Sequence, residues 1–255
     1  MIPKAERMYR CIPVGSSKMS EIVVISGAGS GIGAACAVRF ARAGARVVLL
    51  GRRVDALQQV AAQCGAVALP IACDVTNAAQ VATTLTTVQQ QYGRIDVLVS
   101  AAGTNLPDRR VDQLTPDSWQ MMIDINLNGA FLLITQALPM LRVAQGVIVA
   151  IGSTSVPRPS SLGGASYNAA KSGLTAFVRT LAQEEAPHGV RATVVHPGEV
   201  DTPLIDKRPA PVSAERRAAM LQADDVAQVV QFVAGLPARA TIPEMILTPS
   251  ANPFV

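Results

Sequence analysis

A chain of 255 residues, 49% hydrophobic and only 4% aromatic, is long enough for one α/β domain with a sizeable core and too apolar to be disordered over most of its length. Its formal net charge of +4 is small for this length and no Lys/Arg cluster interleaves with aromatic side chains, so no nucleic-acid partner is expected. Cys11, Cys36, Cys64 and Cys73 lack C-x-x-C spacing and the two histidines, His188 and His196, complete no ligand pattern, so the cysteines read as reduced structural thiols and no metal is predicted.

Residues 1–20 are polar and unperiodic, and Met19 stands directly before the first apolar run; they read as a disordered arm or a misassigned start, dispensable to the fold. No apolar run reaches the ~18 residues that a membrane span needs and no signal-peptide core is present, so a cytoplasmic location without membrane contact is expected. Strand-like runs recur at 22–25, 47–50, 66–71, 97–99, 147–151, 192–195 and 245–247, separated mostly by stretches of helical period. That alternation predicts βαβ units: a single domain over 21–255, built as a doubly wound parallel sheet of about seven strands flanked by helices. Ligands of such sheets sit beyond the carboxyl ends of the strands. The Pro/Ser/Gly-rich stretches 157–164 and 202–213 read as loops beside that edge.

The first run leads into SGAGSGIG, with Gly27, Gly31 and Gly33 between a strand and a helix opening at Ile32. Glycines let the backbone turn sharply and approach a pyrophosphate, while a helix start aims unpaired N–H groups and a positive dipole end at it. A dinucleotide, NAD or NADP, is the implied ligand, with Ser30 and Ile32 among its contacts. The spacing Gly-x-x-x-Gly-x-Gly departs from G-x-G-x-x-G, although Gly29, Gly31 and Ala34 fit its G-x-G-x-x-A variant. The alternative is a glycine-rich turn with no ligand. After the second strand the chain reads Leu50-Gly51-Arg52-Arg53, where an NAD site would be expected to carry an acid for the ribose hydroxyls. Gly51 supplies no carboxylate to repel a 2′-phosphate, and Arg52, assisted by Arg53, offers a permanently charged fork for it. NADP(H) is therefore preferred, with NAD(H) as the second choice; the alternative is that both arginines merely face solvent.

Tyr167 and Lys171, four residues apart in a helical segment, project from one face. A lysine cation beside a phenol stabilises phenolate and lowers a pKa of ~10 towards neutrality, which suits a proton donor and acceptor for an alcohol or carbonyl oxygen. An amphipathic helix with a solvated lysine is the alternative.

Taken together, SGAGSGIG, Tyr167-x-x-x-Lys171 and the later HPGEVDTP resemble the short-chain dehydrogenase/reductase family over roughly residues 21 to 250. The resemblance implies a single Rossmann-type domain that binds NAD(P) and an Asn–Ser–Tyr–Lys tetrad acting on a carbonyl/alcohol pair. Its asparagine matches Asn126 in DINLNGAF, implying a helix bend and a water that links the lysine to solvent. Its serine matches Ser153 at the end of VIVAIGS, although the usual interval to the tyrosine falls on Thr154, which stays an alternative. Tyr167 and Lys171 complete the set, and Lys171 also orients the nicotinamide ribose. Asp74 with Val75 in CDVT resembles the adenine-side pair, a plain helix-cap environment being the other reading of Asp74. Ser100 replaces the first asparagine of the family's Asn-Asn-Ala-Gly, so a local loss of rigidity is expected there, while Ala102 and Gly103 still pass close to the ribose. Pro197 and Gly198 end the sixth strand, and Val200 and Thr202 face the nicotinamide amide and the phosphates.

His196 reads as structural and His188 as a helix-end residue. Lys207 and Arg208 read either as a carboxylate-recognising pair or as solvated loop charges. The C-terminal stretch lacks an Asp-Gly-Gly found in many relatives. The resemblance implies a homo-oligomer, tetramer or dimer, formed through the helices that hold Asn126 and Tyr167, with Ala169, Ala170 and Ala176 permitting close packing. The activity it implies is an NADPH-dependent carbonyl reductase or alcohol dehydrogenase acting on a small molecule; epimerases, dehydratases and imine reductases share the tetrad, and a non-catalytic NADP-binding regulator is the rival class.

Overall fold

The structure is a computed structural model that describes residues 20–251; the expectations for residues 1–19, Cys11 included, lie outside the described residues. In chain order the elements are β1 (Ile22–Ser26), α1 (Gly31–Arg42), β2 (Arg46–Gly51), α2 (Val54–Cys64), β3 (Ala68–Ala72), α3 (Ala78–Tyr92), β4 (Val97–Ser100), α4 (Pro116–Ile123), α5 (Gly129–Ala144), β5 (Val147–Ile151), α6 (Ala165–Glu185), β6 (Arg191–Pro197), β7 (Val200–Asp201), α7 (Ala214–Ala218), β8 (Leu221–Gln222), α8 (Ala223–Ala234) and β9 (Glu244–Leu247). Seven strands form one parallel sheet in the order β3-β2-β1-β4-β5-β6-β9, as the alternation predicts, and β7 and β8 make a separate two-stranded pair.

Sequence dictates which strands are central. In β1 (IVVIS) and β5 (VIVAI) every residue is buried, because β-branched side chains on both faces are covered by helices. Alternate residues then serve opposite layers. Val24, Val48, Leu98 and Ile148 pack with Leu85 of α3, Leu133 and Ile134 of α5 and Leu174 and Val178 of α6. Val23, Val47, Val97 and Val149 pack with Phe40 of α1, Leu57 of α2 and Val230 of α8. β1 and β4 are neighbours although their helices leave to opposite faces, which makes the crevice beyond their carboxyl ends the switch point of the sheet.

Three details depart from the expectation. The run 66–71 starts as a strand only at Ala68, because Gly65 has φ +74° and Gly65–Val67 close a 3-10 turn. The β7/β8 pair was invisible as a pattern, two residues being too short to alternate. The third concerns apolar length: α4, a π-helical segment Asp124–Asn128 and α5 run on as one helix, Pro116–Ala144, of 29 residues, long and apolar enough by length and composition to cross a membrane. Its apolar residues Leu133, Ile134, Ala137 and Leu141 face the sheet and belong to the core.

Helix α6 carries Tyr167 and Lys171, and Leu174, 1% exposed and one turn beyond Lys171, anchors the same face to the core. Leu174→Ala should lower the unfolding free energy by about 2–5 kcal/mol, the cost of a buried leucine truncation. Chemical denaturation measures it; a loss below ~1 kcal/mol would mean that α6 is not held by this layer.

Candidate active site

The glycine-rich turn is shaped by close backbone approaches. Gly27 and Gly31 have φ of +69° and +55°, where L side chains are strained. A Cβ on Gly33 would lie 2.3 Å from the Gly27 carbonyl oxygen, so only glycine lets α1 start this close to β1. Ser30 caps α1 in extended conformation without a side-chain hydrogen bond, and no acid occupies the first turn. The helix start thus presents N–H groups and positive dipole to the crevice, a cradle that fits a pyrophosphate. The helix opens at Gly31 rather than Ile32.

A cavity of about 180 Å³ lies beside this turn, walled by Gly27, Gly29, Ser30, Gly51, Arg52, Arg53, Asp74, Val75, Ala102 and Gly103 among others. Arg52 and Arg53 are exposed at its mouth. Asp74 does not cap α3: Asn77 does, its Oδ1 accepting from the amides of Ala79 and Gln80, both at 3.1 Å. The Asp74 carboxylate instead accepts from the Thr76 amide at 3.0 Å and hydroxyl at 2.8 Å. The turn that follows Ser100 is held from the neighbouring strand. Ser26, the partner of Ser100 in the β1/β4 register, accepts from the amides of Ala101 at 3.1 Å and Ala102 at 3.2 Å. The sequence reading missed Ser26; its signal was a hydroxyl ending an otherwise apolar buried strand.

Gly103 also lines a second cavity, of about 380 Å³, at the carboxyl ends of β4, β5 and β6, together with Ile32, Asn126, Ser153, Thr154, Tyr167, Lys171, Pro197, Gly198, Val200 and Thr202. The predicted residues therefore converge on two cavities joined at Gly103; Gly31 and Gly33 wall neither and act through the backbone. A Cβ on Gly103 would sit 3.0 Å from Asn126 Oδ1 and 3.5 Å from Lys171 Nζ, which shows how tightly the three meet.

Asn126 stands in the π-helical segment, the bend that its motif implies. It is 1% exposed, its Oδ1 accepting from the Thr104 amide at 3.1 Å and its Nδ2 donating to the Met122 carbonyl at 3.0 Å. Lys171 is buried as well, with Nζ donating to the Ile151 carbonyl at 2.8 Å, so the solvated-lysine alternative does not apply. Burial without a carboxylate partner pushes its pKa down to about 8. Nζ lies 5.8 Å from the centre of the Tyr167 ring. Burial pushes the Tyr167 phenol above its ordinary value, opposed by the hydrogen bond with Ser153 and by the positive charge of Arg109. This corrects the expectation of a lysine-lowered phenol: desolvation of the phenolate wins, and the cation that opposes it is an arginine that sequence reasoning did not single out.

Ser153 Oγ is 3.0 Å from Ser155 Oγ and accepts from the Ser155 amide at 3.1 Å, while the Thr154 amide is committed to the Pro197 carbonyl at 3.1 Å. Behind Ser153 lies His196, fully buried, with Nδ1 3.0 Å from the Ser153 carbonyl oxygen and Nε2 3.4 Å from Glu244. Burial pushes the imidazole pKa down, against the Ser153 backbone and Glu244, and keeps it neutral. His196 thus supports the loop from behind, consistent with a structural residue. The proposed carboxylate readers are engaged elsewhere: Lys207 Nζ donates to Thr104 Oγ1 at 2.7 Å, and Arg208 pairs with Glu199 at 2.8 Å. His188 ends a 3-10 turn after α6. Among the described residues no three His, Cys, Asp or Glu side chains group as a metal site would require.

Because the ammonium of Lys171 is disfavoured in the fold, its cost to stability is fully present below pH 8 and disappears as pH rises towards the ordinary value of 10.5. Lys171→Met should therefore unfold later than the parent at pH 7, by about 1–3 kcal/mol, with the gap closing by pH 10. Thermal unfolding across that range measures it; a pH-independent gap, or a less stable variant, would contradict the buried cation.

Comparison with known proteins agrees with this geometry. A family model described as short chain dehydrogenase matches residues 21–212. An uncharacterised oxidoreductase of Staphylococcus epidermidis is 31% identical over 230 residues, covering 90% of this chain and 97% of that protein. Among solved structures, a closed form of serine dehydrogenase complexed with NADP+ superposes with a TM-score of 0.85 at 29% identity, covering 91% of this chain and 96% of that one. The 3-ketoacyl-(acyl-carrier-protein) reductase of Brucella melitensis complexed with NADH gives 0.82 at 27%, covering 90% and 97%.

Proposed function

The chain belongs to the short-chain dehydrogenase family of NAD(P)-dependent oxidoreductases, and from that premise we propose that it is an NADPH-dependent carbonyl reductase or alcohol dehydrogenase working through Asn126, Ser153, Tyr167 and Lys171. The observation that carries the reading is that Asn126, Ser153, Tyr167 and the buried Lys171 line one cavity, which shares Gly103 with the glycine-turn cavity.

The substrate oxygen sits between Ser153 Oγ and the Tyr167 hydroxyl. Ser153 donates a hydrogen bond that strengthens as negative charge develops on that oxygen. Tyr167 delivers the proton in reduction and removes it in oxidation. Lys171, held by the Ile151 carbonyl, stabilises the phenolate left behind and orients the cofactor ribose. Asn126 fixes the Thr104 backbone, and with it the loop that passes Gly103. A nicotinamide dinucleotide supplies the hydride to the carbonyl carbon when bound. Gly27, Ser30, Gly31, Ile32 and Gly33 hold its pyrophosphate, Asp74, Val75 and Ala102 its adenosine, and Pro197, Gly198, Val200 and Thr202 its amide end. Arg52 and Arg53 favour NADP(H) over NAD(H), since no acid stands at Gly51 to reject a 2′-phosphate. Exposed Trp119 and Phe131 on α4 and α5 support a homo-oligomer through these helices; Ala170 is buried within its own subunit and takes no part, unlike exposed Ala169 and Ala176.

Arg52→Ala should weaken NADPH binding by about 1.5–3 kcal/mol, roughly 10- to 150-fold, and leave NADH binding within a few-fold. Fluorescence titration of both nucleotides reads this directly. Equal losses for the two nucleotides, or tighter NADH binding by the parent, would overturn the preference. Tyr167→Phe should retain NADPH affinity while lowering kcat for aldehyde, ketone and oxo-acid reduction by about 10²- to 10⁴-fold. A variant within a few-fold of the parent would remove Tyr167 from the chemistry.

A further inference from the structure

On the substrate side of the larger cavity, across from Lys171, Arg109 lacks a carboxylate partner among the described residues. It stands in the loop between β4 and α4, 5% exposed, in the wall of the cavity that also holds Ser153 and Tyr167. Its Nη1 donates to the Leu162 carbonyl at 2.8 Å and its Nη2 to the Lys207 carbonyl, but Nε is buried with no acceptor. Among the described residues no carboxylate pairs with it. The guanidinium feels Arg208, a like charge, and Tyr167. Carbonyl oxygens satisfy N–H groups without cancelling charge, and a buried guanidinium without a counter-anion is costly.

The rest of the lining adds no spare anion. Its only acid among the described residues is Glu199, whose Oε1 already accepts from Arg208 and Arg216, both at 2.8 Å. Arg158 is exposed, and Lys171 is committed to Ile151 at the opposite, cofactor side. Besides the Lys171 ammonium on the cofactor side, what remains is one buried guanidinium without a carboxylate partner beside the proton donor. We propose that Arg109 binds a carboxylate carried by the substrate, so that the enzyme acts on oxo or hydroxy acids rather than on neutral carbonyl compounds. One uncompensated guanidinium matches a monoanion, and its planar fork suits the two oxygens of a carboxylate. The inference rests on the reading of this cavity as a carbonyl/alcohol site. It replaces Lys207 and Arg208, the loop pair that the sequence offered for the same task.

Arg109 also ties together the two loops that close the cavity, residues 157–164 through Leu162 and 202–213 through Lys207, so the test must separate binding from positioning. Acetoacetate, 4-oxopentanoate and propionate, each beside its uncharged amide, are titrated by calorimetry into the full-length protein saturated with NADP+ at constant ionic strength. For at least one pair the acid should bind the parent about 10-fold or more tighter than its amide, the scale of a charge-assisted hydrogen bond. Arg109→Gln should abolish that preference, weakening the acid while changing the amide and NADP+ affinities less than about threefold, and Arg109→Lys should keep part of it. Acid and amide binding alike to the parent, or Arg109→Gln weakening both equally, would overturn the proposal and leave Arg109 as a loop clamp. Loss of NADP+ binding by the parent would instead strike the functional reading itself, which makes the two failures distinguishable.

Discussion

The site depends on one costly placement: an ammonium buried at the carboxyl edge of β5. Lys171 reaches the Ile151 carbonyl from the first turns of α6 and ties the helix start to the sheet edge there. Tyr167 stands one turn earlier on the same helix, and a Cβ at Gly103 would press on Asn126 Oδ1 at 3.0 Å beside Nζ. The penalty for burying the charge is offset by the apolar face of α6, where Leu174, Val178 and Leu181 pack under the sheet. Stability and chemistry therefore pull on the same helix in opposite directions, a common condition of functional sites.

The cofactor side obeys a different constraint, close approach of backbones. Gly33 against Gly27 and Gly27 against Ala101 leave no space for side chains, and Ser26 accepts from the amides of Ala101 and Ala102 across the strands. Here the strand end, not the loop, holds the geometry. Ser100 is tolerated because the two amides of the following turn already have an acceptor on the neighbouring strand.

Most of this was legible from sequence, for physical reasons. Strand runs of Val and Ile buried on both faces, alternating with helical period, specify a parallel sheet and hence the edge at which ligands bind. Glycines in a strand-to-helix turn and a Tyr–Lys pair one turn apart are local patterns with fixed geometry. What escaped is non-local. Arg109 bonds partners 53 and 98 residues away, so nothing in its own neighbourhood marked it. Ser26 acts across 75 and 76 residues. The direction of the Tyr167 shift could not be read from the spacing of Tyr167 and Lys171, because spacing reports proximity and not desolvation. The strand boundary at Ala68 failed for a smaller reason, a single left-handed glycine that converts two apolar residues into a turn.

The electrostatics of the cavity bear on the direction of the chemistry. A phenol pushed up by burial stays protonated at neutral pH, ready to give its proton to a developing alkoxide, and a lysine near 8 is still largely cationic there, ready to stabilise the phenolate that results. Oxidation needs the reverse starting state, phenolate, which burial disfavours. Arg109 moderates this in a ligand-dependent way: its charge favours phenolate, and a substrate carboxylate seated on it cancels that help. An anionic substrate would thus raise the tendency of Tyr167 to remain an acid at the moment when a carbonyl oxygen needs one. In this cavity the guanidinium proposed to hold a substrate carboxylate is also the charge that faces the proton donor, so an oxo acid seated there would leave Tyr167 the more firmly protonated.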